Sequence, residues 1–182
     1  MIGCPTRTRQ LTADFLFEEP PLQPSPQGRL LILGDGRSLW EDVEKYGEPE
    51  DVMAVNLSGC FYREPLTHWV TCHGEMFDPW FVIKRCGNRP PTHTKLGRPA
   101  DYQWPIIYGG SSGMLAILIA LAMGYEDITL AGMPFDDHGH FYDPPYHGRG
   151  NTNFKAIWDT ARDNWFQGKV KSLSGLTKDW LS

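Results

Sequence analysis

A turn of small residues that leads straight into an apolar helix constrains this chain more than any other feature. The turn runs from Gly109 to Gly113, and the helix after it is apolar on nearly every side from Met114 to Met123. Such a helix has to be buried. The first backbone N–H groups of a helix have no partner within it and can bind an anion, which glycine allows to approach closely. The sequence therefore predicts the phosphate-binding corner of an α/β nucleotide site at Gly110, Ser111, Ser112 and Gly113. The alternative is a plain serine N-cap beside glycines that allow tight packing.

Short apolar runs alternate with segments that can form helices. The predicted strands are 29–33, 51–55, 69–72, 127–131 and 169–173, with a further short candidate at 106–108. The predicted helices are 39–46, 79–84, the buried helix and a helix that is capped by Asn151 or Thr152 and runs to about Trp165. Residues 176–181 are predicted to form a terminal turn or helix, whereas 86–105 and 134–150 are predicted loops. This alternation indicates an α/β fold with a mostly parallel sheet and helices on both faces. We expect a single Rossmann-like domain over residues 29–182, after an irregular, proline-containing N-terminal extension over residues 1–28.

The residues directly after the predicted strands are candidates for a binding site, because ligands of open parallel sheets bind beyond the carboxyl ends of the strands. Arg37 can clamp a phosphate by its charge. Asp35 would repel a phosphate unless it takes a sugar hydroxyl or a metal. The structural alternatives are an ordinary strand-to-helix turn at 34–38 and a turn-forming asparagine at 56. The candidates for nucleotide binding that follow strands are Gly34, Asp35, Gly36, Arg37, Ser38, Asn56, His73 and Gly132.

A polar stretch follows the strand 127–131 almost immediately. It begins with Asp136 and Asp137, whose carboxylates can hold Mg²⁺. The imidazoles of His138 and His140 can instead hold a transition metal. A solvated loop accounts for the same residues, so the metal and loop interpretations both stay open at this point.

The overall composition argues against several classes of protein. A net charge of −5 over 182 residues is not that of a nucleic-acid binder with a basic face, although one nucleotide held by backbone groups needs little net charge. The four cysteines contain no CxxC pair, which argues against a zinc site or a disulfide framework. No apolar run is long enough to span a membrane and no signal peptide is recognisable, so we expect a cytoplasmic protein. The sequence leaves a homo-oligomer open.

Several motifs occur in a defined order along residues 29–181. A glycine turn, Gly34-Asp-Gly-Arg-Ser-Leu39, follows the first strand, and Asn56 ends the second. A Ser-Gly turn opens the apolar helix, which ends in Leu121-Ala-Met-Gly-Tyr-Glu126 before a strand closed by Gly132. Asn151-Thr-Asn-Phe-Lys-Ala156 and Lys169-Val-Lys171 complete the order. Together they resemble the bacterial sialyltransferases of the Campylobacter type (glycosyltransferase family 42) and the related hydroxymethylpterin pyrophosphokinase-like proteins.

This resemblance implies a transferase that binds a CMP-type nucleotide or nucleotide sugar at the first turn, at Asn56 and at 111–113. It further implies a catalytic histidine before the last long helix, for which His147 is the candidate, and tyrosines that assist the leaving phosphate, for which the candidates are Tyr142 and Tyr146. The chain departs from the family pattern at Asp35, Arg37 and Pro134 and in a lid reduced to about 135–150. We therefore expect a sialyltransferase-like glycosyltransferase. A Mg²⁺-dependent pyrophosphokinase-like phosphotransferase and a non-catalytic nucleotide-binding protein are the alternatives.

Overall fold

The structure is a computed structural model, and it describes residues 28–84, 89–106, 111–136, 138–144 and 154–182. The predicted N-terminal extension lies outside the described residues except for Gly28. None of the helices in these ranges combines the length and the apolarity that crossing a membrane requires.

Seven strands form a single sheet in which every neighbouring pair is parallel. The strands are β1 (Arg29–Leu33), β2 (Asp51–Val55), β3 (His68–Val70), β4 (Thr92–Lys95), β5 (Tyr102–Trp104), β6 (Asp127–Ala131) and β7 (Val170–Ser172). Their order is β5-β4-β3-β2-β1-β6-β7. The chain builds outward from β1 in one direction through β5 and then returns to place β6 on the other side of β1. The strand order therefore reverses between β1 and β6, which is where doubly wound sheets bind their ligands.

Helices cover both faces of the sheet. They are α1 (Leu39–Tyr46), α2 (Ser58–Phe61), α3 (Phe77–Ile83), α4 (Ser112–Ala122), α5 (Lys155–Ala161) and α6 (Gly175–Leu181). Side chains of a strand alternate between the faces. Leu30 and Ile32 accordingly join the core cluster built on α4 and α5, whereas Leu31 and Leu33 join the cluster under α1 and α3. The sequence prediction of an α/β fold with helices on both faces is confirmed, and the sheet is wholly parallel.

Helix α4 is the centre of the larger core. Ten of its eleven residues are buried, as a helix apolar on all sides requires. Each buried Leu or Ile on it stabilises the fold by about 1.5–3 kcal/mol relative to an exposed position. The N-terminus of α4 is thereby held rigidly against the sheet.

The prediction of a loop over 86–105 was wrong, because β4 and β5 lie within it. These strands contain few apolar residues, so their sequence shows no strand pattern. Bonds to polar groups elsewhere in the fold hold them: the Asp101 carboxylate accepts from the backbone N–H of Thr92 at 2.9 Å and from its hydroxyl at 2.8 Å. Smaller differences concern bounds, since β3 begins at His68 and α3 at Phe77. The strand candidate 106–108 lies outside the described residues except for Ile106.

A line of buried polar side chains, here called the histidine ladder, crosses one side of the sheet. The indole of Trp104 donates to His93 Nδ1 at 3.1 Å, which puts the hydrogen of His93 on Nε2, 3.2 Å from His68 Nδ1. His68 then carries its hydrogen on Nε2, 3.2 Å from the Tyr125 hydroxyl, which donates to Asp51 at 2.8 Å. Burial lowers the pKa of His68 to about 4 and that of His93 to about 3, so both rings are neutral at pH 7.

Candidate functional site

A cavity of about 190 Å³ lies where the strand order reverses, at the carboxyl ends of β1, β2 and β6. Asp35, Asn56 and Ser112 come from three separate segments, and all three line it. This convergence is what parallel strands with adjacent carboxyl ends produce. The described residues that line it are Gly34, Asp35, Gly36, Val55, Asn56, Ser111, Ser112, Gly113, Gly132, Met133, Pro134, Phe135, Asp136, Gly139, His140, Phe154 and Trp158.

Glycines let the turns after β1 and β6 touch each other. The backbone N–H of Gly34 donates to Ala131 O at 2.8 Å, and that of Gly36 to Gly132 O at 2.7 Å. A Cβ on Gly34 would lie 2.5 Å from Gly132 O, and one on Gly36 would lie 2.5 Å from Pro134 Cδ. The glycines of the first turn are therefore required because backbone packs on backbone at the cavity wall.

The N-terminus of α4 forms another wall of the cavity. Ser111 caps the helix by accepting from the backbone N–H of Met114, as the structural alternative predicts. The Ser112 hydroxyl accepts from the N–H of Cys72 at 3.0 Å, so its own hydrogen is available to donate. No described residue is a partner of the backbone N–H groups of Ser112 and Gly113. These donors lie at the positive end of the helix dipole, which attracts anions.

Asn56 is held in one orientation by its neighbours. Its φ of 52° is left-handed, a conformation that asparagine tolerates better than most residues. The Thr71 hydroxyl accepts from the N–H of His73 at 3.0 Å and so donates its hydrogen to Asn56 Oδ1 at 2.8 Å. This places the amide oxygen toward Thr71 and leaves Nδ2 as a donor without a partner among the described residues.

The buried carboxylate of Asp35 ties the first turn to α2. It accepts from the backbone N–H of Ser58 at 2.7 Å and from that of Leu57 at 3.4 Å. Burial raises its pKa to about 6, although these N–H groups, the nearby His140 and the Tyr142 hydroxyl at 3.4 Å lower it in part. An acidic residue fits here because it faces the N-terminus of a short helix.

Three predicted nucleotide-binding residues do not line the cavity. Arg37 donates from Nε to the backbone oxygen of His138 at 2.6 Å, and from Nη2 to those of Asp143 at 2.8 Å and Pro144 at 2.9 Å. Its guanidinium thus secures the segment 138–144, and its role as a phosphate clamp stays a prediction. Ser38 bonds to Asp42 and Ser174, and His73 is an exposed side chain 3.8 Å from Glu75. Because none of these three residues lines the cavity, its geometry does not support a role for them in nucleotide binding.

Other predicted residues lie partly or wholly outside the described residues. The roles predicted for Gly110, Asp137, Tyr146 and His147 stay predictions for this reason. Asp136 lines the cavity, but its carboxylate accepts from the N–H of His138 and pairs with the ring of the same histidine at 3.0 Å. Within the described ranges, no three His, Cys, Asp or Glu side chains converge as a metal site would require. Metal binding stays a prediction.

Sequence reasoning missed a histidine–aspartate pair at the cavity. His140 lines the cavity, and its Nδ1 lies 2.8 Å from Asp143 Oδ2, which also accepts from the His140 backbone N–H. The His140 ring stacks on Tyr142, with ring centres 5.0 Å apart. Spacing of three residues between His and Asp was the sequence signal, but it is uninformative in a loop of unknown path. Met133, Phe135, Phe154 and Trp158 complete the apolar part of the lining.

An all-parallel, doubly wound sheet with a cleft at its switch point defines a Rossmann-like α/β protein. No protein-family model matches the chain, and no curated protein shows significant sequence similarity to it. Among solved structures, it is similar to the monofunctional alpha-2,3-sialyltransferase Cst-I from Campylobacter jejuni. That match has a TM-score of 0.59 at 13% identity, covering 88% of this chain and 81% of the other.

Two structures of the sialyltransferase Cst-II are also similar. Cst-II in complex with CMP has a TM-score of 0.56 at 15% identity, over 82% of each chain. Cst-II from Campylobacter jejuni with the substrate analogue CMP-3FNeuAc has a TM-score of 0.54 at 16% identity, again over 82% of each chain. These fold neighbours are sialyltransferases, which confirms that part of the resemblance, whereas the likeness to the pyrophosphokinase-like proteins stays a prediction. At these identities the likeness establishes a shared fold.

Proposed function

We propose that this chain is a sialyltransferase-like glycosyltransferase that binds a CMP-type nucleotide sugar in the cavity at the switch point. The observation that carries the proposal is the convergence of the α4 N-terminus, the Asn56 amide and the first turn on that single cavity. The fold neighbours supply the nucleotide class, because two of them hold CMP or a CMP analogue.

The donors around the cavity suit a phosphate. The N–H groups of Ser112 and Gly113 and the Ser112 hydroxyl can hydrogen-bond phosphate oxygens at the positive end of α4. A phosphate becomes more negative when the bond between it and a sugar breaks, so the same donors would stabilise the departing CMP. Binding through backbone groups needs no cluster of Lys or Arg, which agrees with the acidic composition.

The Asn56 amide suits the nucleoside. Its Nδ2 can donate to a ribose hydroxyl or to a base carbonyl, since its oxygen is already bonded to Thr71. The cavity of about 190 Å³ is smaller than the roughly 300–1,000 Å³ of typical ligand pockets. We therefore expect the phosphate and ribose to fill it, while the base or the sugar extends past its rim.

Isothermal titration calorimetry on the full chain tests this proposal. CMP, CDP, ATP and GMP are titrated with and without Mg²⁺, and we expect CMP to bind without metal. Asn56→Asp keeps the oxygen bonded to Thr71 and replaces the donating nitrogen by a carboxylate oxygen, so it should weaken CMP binding by at least about tenfold. Asn164→Asp is the matched control and should leave the affinity unchanged, because Asn164 is an exposed asparagine in the π-helical segment Arg162–Phe166 and does not line the cavity.

The other outcomes separate the competing functions. Metal-dependent binding of ATP in place of CMP would favour a phosphotransferase. CMP binding without turnover of any CMP-sugar would favour a non-catalytic nucleotide-binding protein. A chain that binds none of the four nucleotides would refute the proposed site altogether.

A further inference from the structure

Two half-exposed aromatic rings flank a third ring beside the cavity. Trp40 in α1 is 41% exposed, and Phe61, the last residue of α2, is 49% exposed. Each of these rings meets the ring of Phe141 edge-on, with ring centres 5.6 Å apart for Trp40 and 5.5 Å apart for Phe61. Single exposed apolar side chains are ordinary, but a contiguous exposed cluster indicates an interaction site. These three residues are here called the aromatic surface.

The middle ring of the aromatic surface is held in a fixed position. The backbone N–H of Phe141 donates to the backbone oxygen of Asp35 at 2.8 Å, and its side chain packs against the core cluster under α1 and α3. Arg37 holds the same segment, 138–144, through three bonds to backbone oxygens. No other described ring stacks on either outer ring, so the exposed area of both is available to a ligand. Such a preorganised surface loses little conformational freedom when it binds.

The aromatic surface begins where the cavity wall ends. His140 lines the cavity, and Phe141 is the next residue along the chain. The Tyr142 ring lies 5.1 Å from that of Phe141, and its hydroxyl lies 3.4 Å from Asp35, which also lines the cavity. A molecule that binds to the aromatic surface is thus an immediate neighbour of anything bound in the cavity.

The size of the aromatic surface favours a small ligand over a protein partner. A fully buried aromatic side chain removes about 150–250 Å² of surface from water. Since the two outer rings are slightly less than half exposed, together they offer roughly 200 Å². A stable protein interface needs about 800 Å² from each partner. The exposed rings therefore match a ligand of the size of one or two sugar rings and are too small to hold a second copy of this chain.

A pyranose ring has the chemistry that such a surface recognises. Its C–H groups lie on the faces of the ring and its hydroxyls on the edge, and the negative face of an aromatic ring attracts the weakly positive C–H groups. The hydroxyls stay in water or reach the exposed charged side chains that adjoin the rings in sequence, Glu41, Arg63 and Glu64. An alkyl chain, which has no polar edge, is instead bound in a concave apolar pocket.

The charges around the aromatic surface offset one another. On α1, Glu41 is paired with Lys45 at 2.8 Å, and after α2 the exposed Arg63 is followed by Glu64. A ligand with a net charge therefore gains little from this region, because exposed charges are also screened by salt. A neutral saccharide is the ligand that fits both the rings and the charges.

We propose that the aromatic surface is a carbohydrate-binding site for a neutral oligosaccharide, separate from the nucleotide cavity. The C–H face of one pyranose ring stacks on Trp40, and that of a neighbouring pyranose ring stacks on Phe61. Binding forms and breaks no covalent bond, and it does not require that the cavity holds CMP. A saccharide held in this way lies directly beside the cavity.

An NMR titration of the full chain, labelled with nitrogen-15, tests this proposal. The probe is cellopentaose, a neutral saccharide whose β-1,4-linked glucose rings carry equatorial substituents and expose C–H groups on both faces. Sorbitol, an open-chain polyol that has hydroxyls but no ring, is the control ligand. We expect cellopentaose to shift the indole N–H signal of Trp40 with saturation in the millimolar range, and we expect no saturable shift with sorbitol.

Matched variants locate the binding site. Trp40→Ala and Phe61→Ala should each weaken cellopentaose binding at least about fivefold, whereas Trp40→Phe retains a ring and should stay within about threefold of the original chain. Leu96→Ala removes a side chain that is 58% exposed after β4 and should leave binding unchanged. CMP affinity, measured by calorimetry, should stay within about twofold in all four variants. Thermal melting verifies that each variant is folded.

The other outcomes are separable. No saturable shift with cellopentaose, equal binding by Trp40→Ala, or equal shifts with sorbitol would overturn the proposal. A dimer in sedimentation that Trp40→Ala dissociates, in place of saccharide binding, would assign the surface to a second copy of the chain. Binding to phosphatidylcholine vesicles that Trp40→Ala loses, again in place of saccharide binding, would assign it to a membrane. A chain that binds cellopentaose but not CMP would refute the proposed function and leave this site standing.

Discussion

The histidine ladder and the cavity (below also called the cleft) at the end of β1 both contain polar groups, but the hydrogen bonds of those groups differ. In the ladder, each hydrogen between Trp104 and Asp51 has an acceptor within the fold. In the cleft, donors such as the Ser112 N–H have no partner among the described residues. Buried polar groups that satisfy one another specify a structure, whereas groups left over at a cavity can bind a ligand. This contrast distinguishes core from site better than residue type does.

The two regions also respond to acid in opposite directions, and the ladder should dominate. The folded-state pKa values of His68 and His93, about 4 and about 3, lie below the usual 6.5, so the unfolded chain binds protons first as the pH falls. The stability that depends on these two neutral rings is lost progressively from about pH 6.5 downward. The whole of that contribution is lost once the pH is below the folded-state pKa values. We expect the free energy of unfolding to fall by about 2–4 kcal/mol between pH 7.5 and pH 5.

Urea unfolding at the two pH values measures this effect. Replacement of His138, an exposed histidine, by Gln provides the control and should show the same loss as the original chain. Stability that stays constant to pH 5 would mean that the ladder histidines do not titrate as buried, neutral groups.

The second prediction concerns the tight packing of the cleft. Gly34→Val places side-chain atoms against Gly132 O, where even a Cβ would lie at 2.5 Å, so the two turns must separate. We expect a loss of about 2–3 kcal/mol in unfolding free energy and loss of CMP binding. Gly168→Ala is the comparison, because Gly168 has a φ of +75° but a Cβ added there would meet no described atom within 4 Å. It should cost about 1 kcal/mol through conformation alone and leave CMP binding intact.

The third prediction compares two tyrosine hydroxyls, one in each region. Tyr125→Phe removes the link between His68 and Asp51, so each of the two buried side chains loses one hydrogen bond. Chemical denaturation should show a loss of about 1–2 kcal/mol. Tyr142→Phe removes a half-exposed hydroxyl 3.4 Å from Asp35 and should change stability by less than about 0.5 kcal/mol. Equal effects would show that the ladder is no more tightly specified than the cleft.

The smallest expected change is at Asp35. Its folded-state pKa of about 6 lies above the usual 3.8, so the folded chain binds a proton first and gains stability as the pH falls through 6. Asp35→Asn removes this gain, and at pH 7.5 it also removes a buried charge while losing a charged acceptor for Ser58 N–H. We expect a net change of less than about 1 kcal/mol at pH 7.5 and a steeper loss of stability toward pH 5 than in the original chain. An unchanged pH dependence would contradict a raised pKa at Asp35.

Prediction from the sequence succeeded where a local pattern reports burial. The runs at 29–33, 51–55 and 127–131 became β1, β2 and β6 with their predicted bounds, and the apolar stretch after Ser112 became α4. It failed for β4 and β5, because a strand such as Thr-His-Thr-Lys is stabilised by bonds to Asp101 and by the histidine ladder. Those partners are distant in sequence or carry no recognisable pattern.

For the site, the position of a residue along the chain predicted which other residues it lies near, but it did not predict what its side chain bonds to. That Asp35, Asn56 and Ser112 meet follows from parallel strands, whose carboxyl ends share one edge of the sheet. Arg37 bonds to carbonyl oxygens of the segment 138–144, which lies about 100 residues further along the chain. Whether that segment reaches Arg37, and whether Asp143 within it contacts His140, depends on the path of the loop. The path of a loop is determined by many weak contacts that leave no periodic pattern in the sequence. Side-chain pairs within a loop therefore cannot be predicted from such patterns.

By itself, the sequence determined the parallel α/β architecture and the edge of the sheet at which polar residues gather, because hydrophobic periodicity and chain order are local properties. Tertiary structure decided which of those residues line the cavity and which support it. Hydrogen-bond partners are assigned only when segments meet in space, and that assignment placed Arg37 in the scaffold and His140 at the cavity.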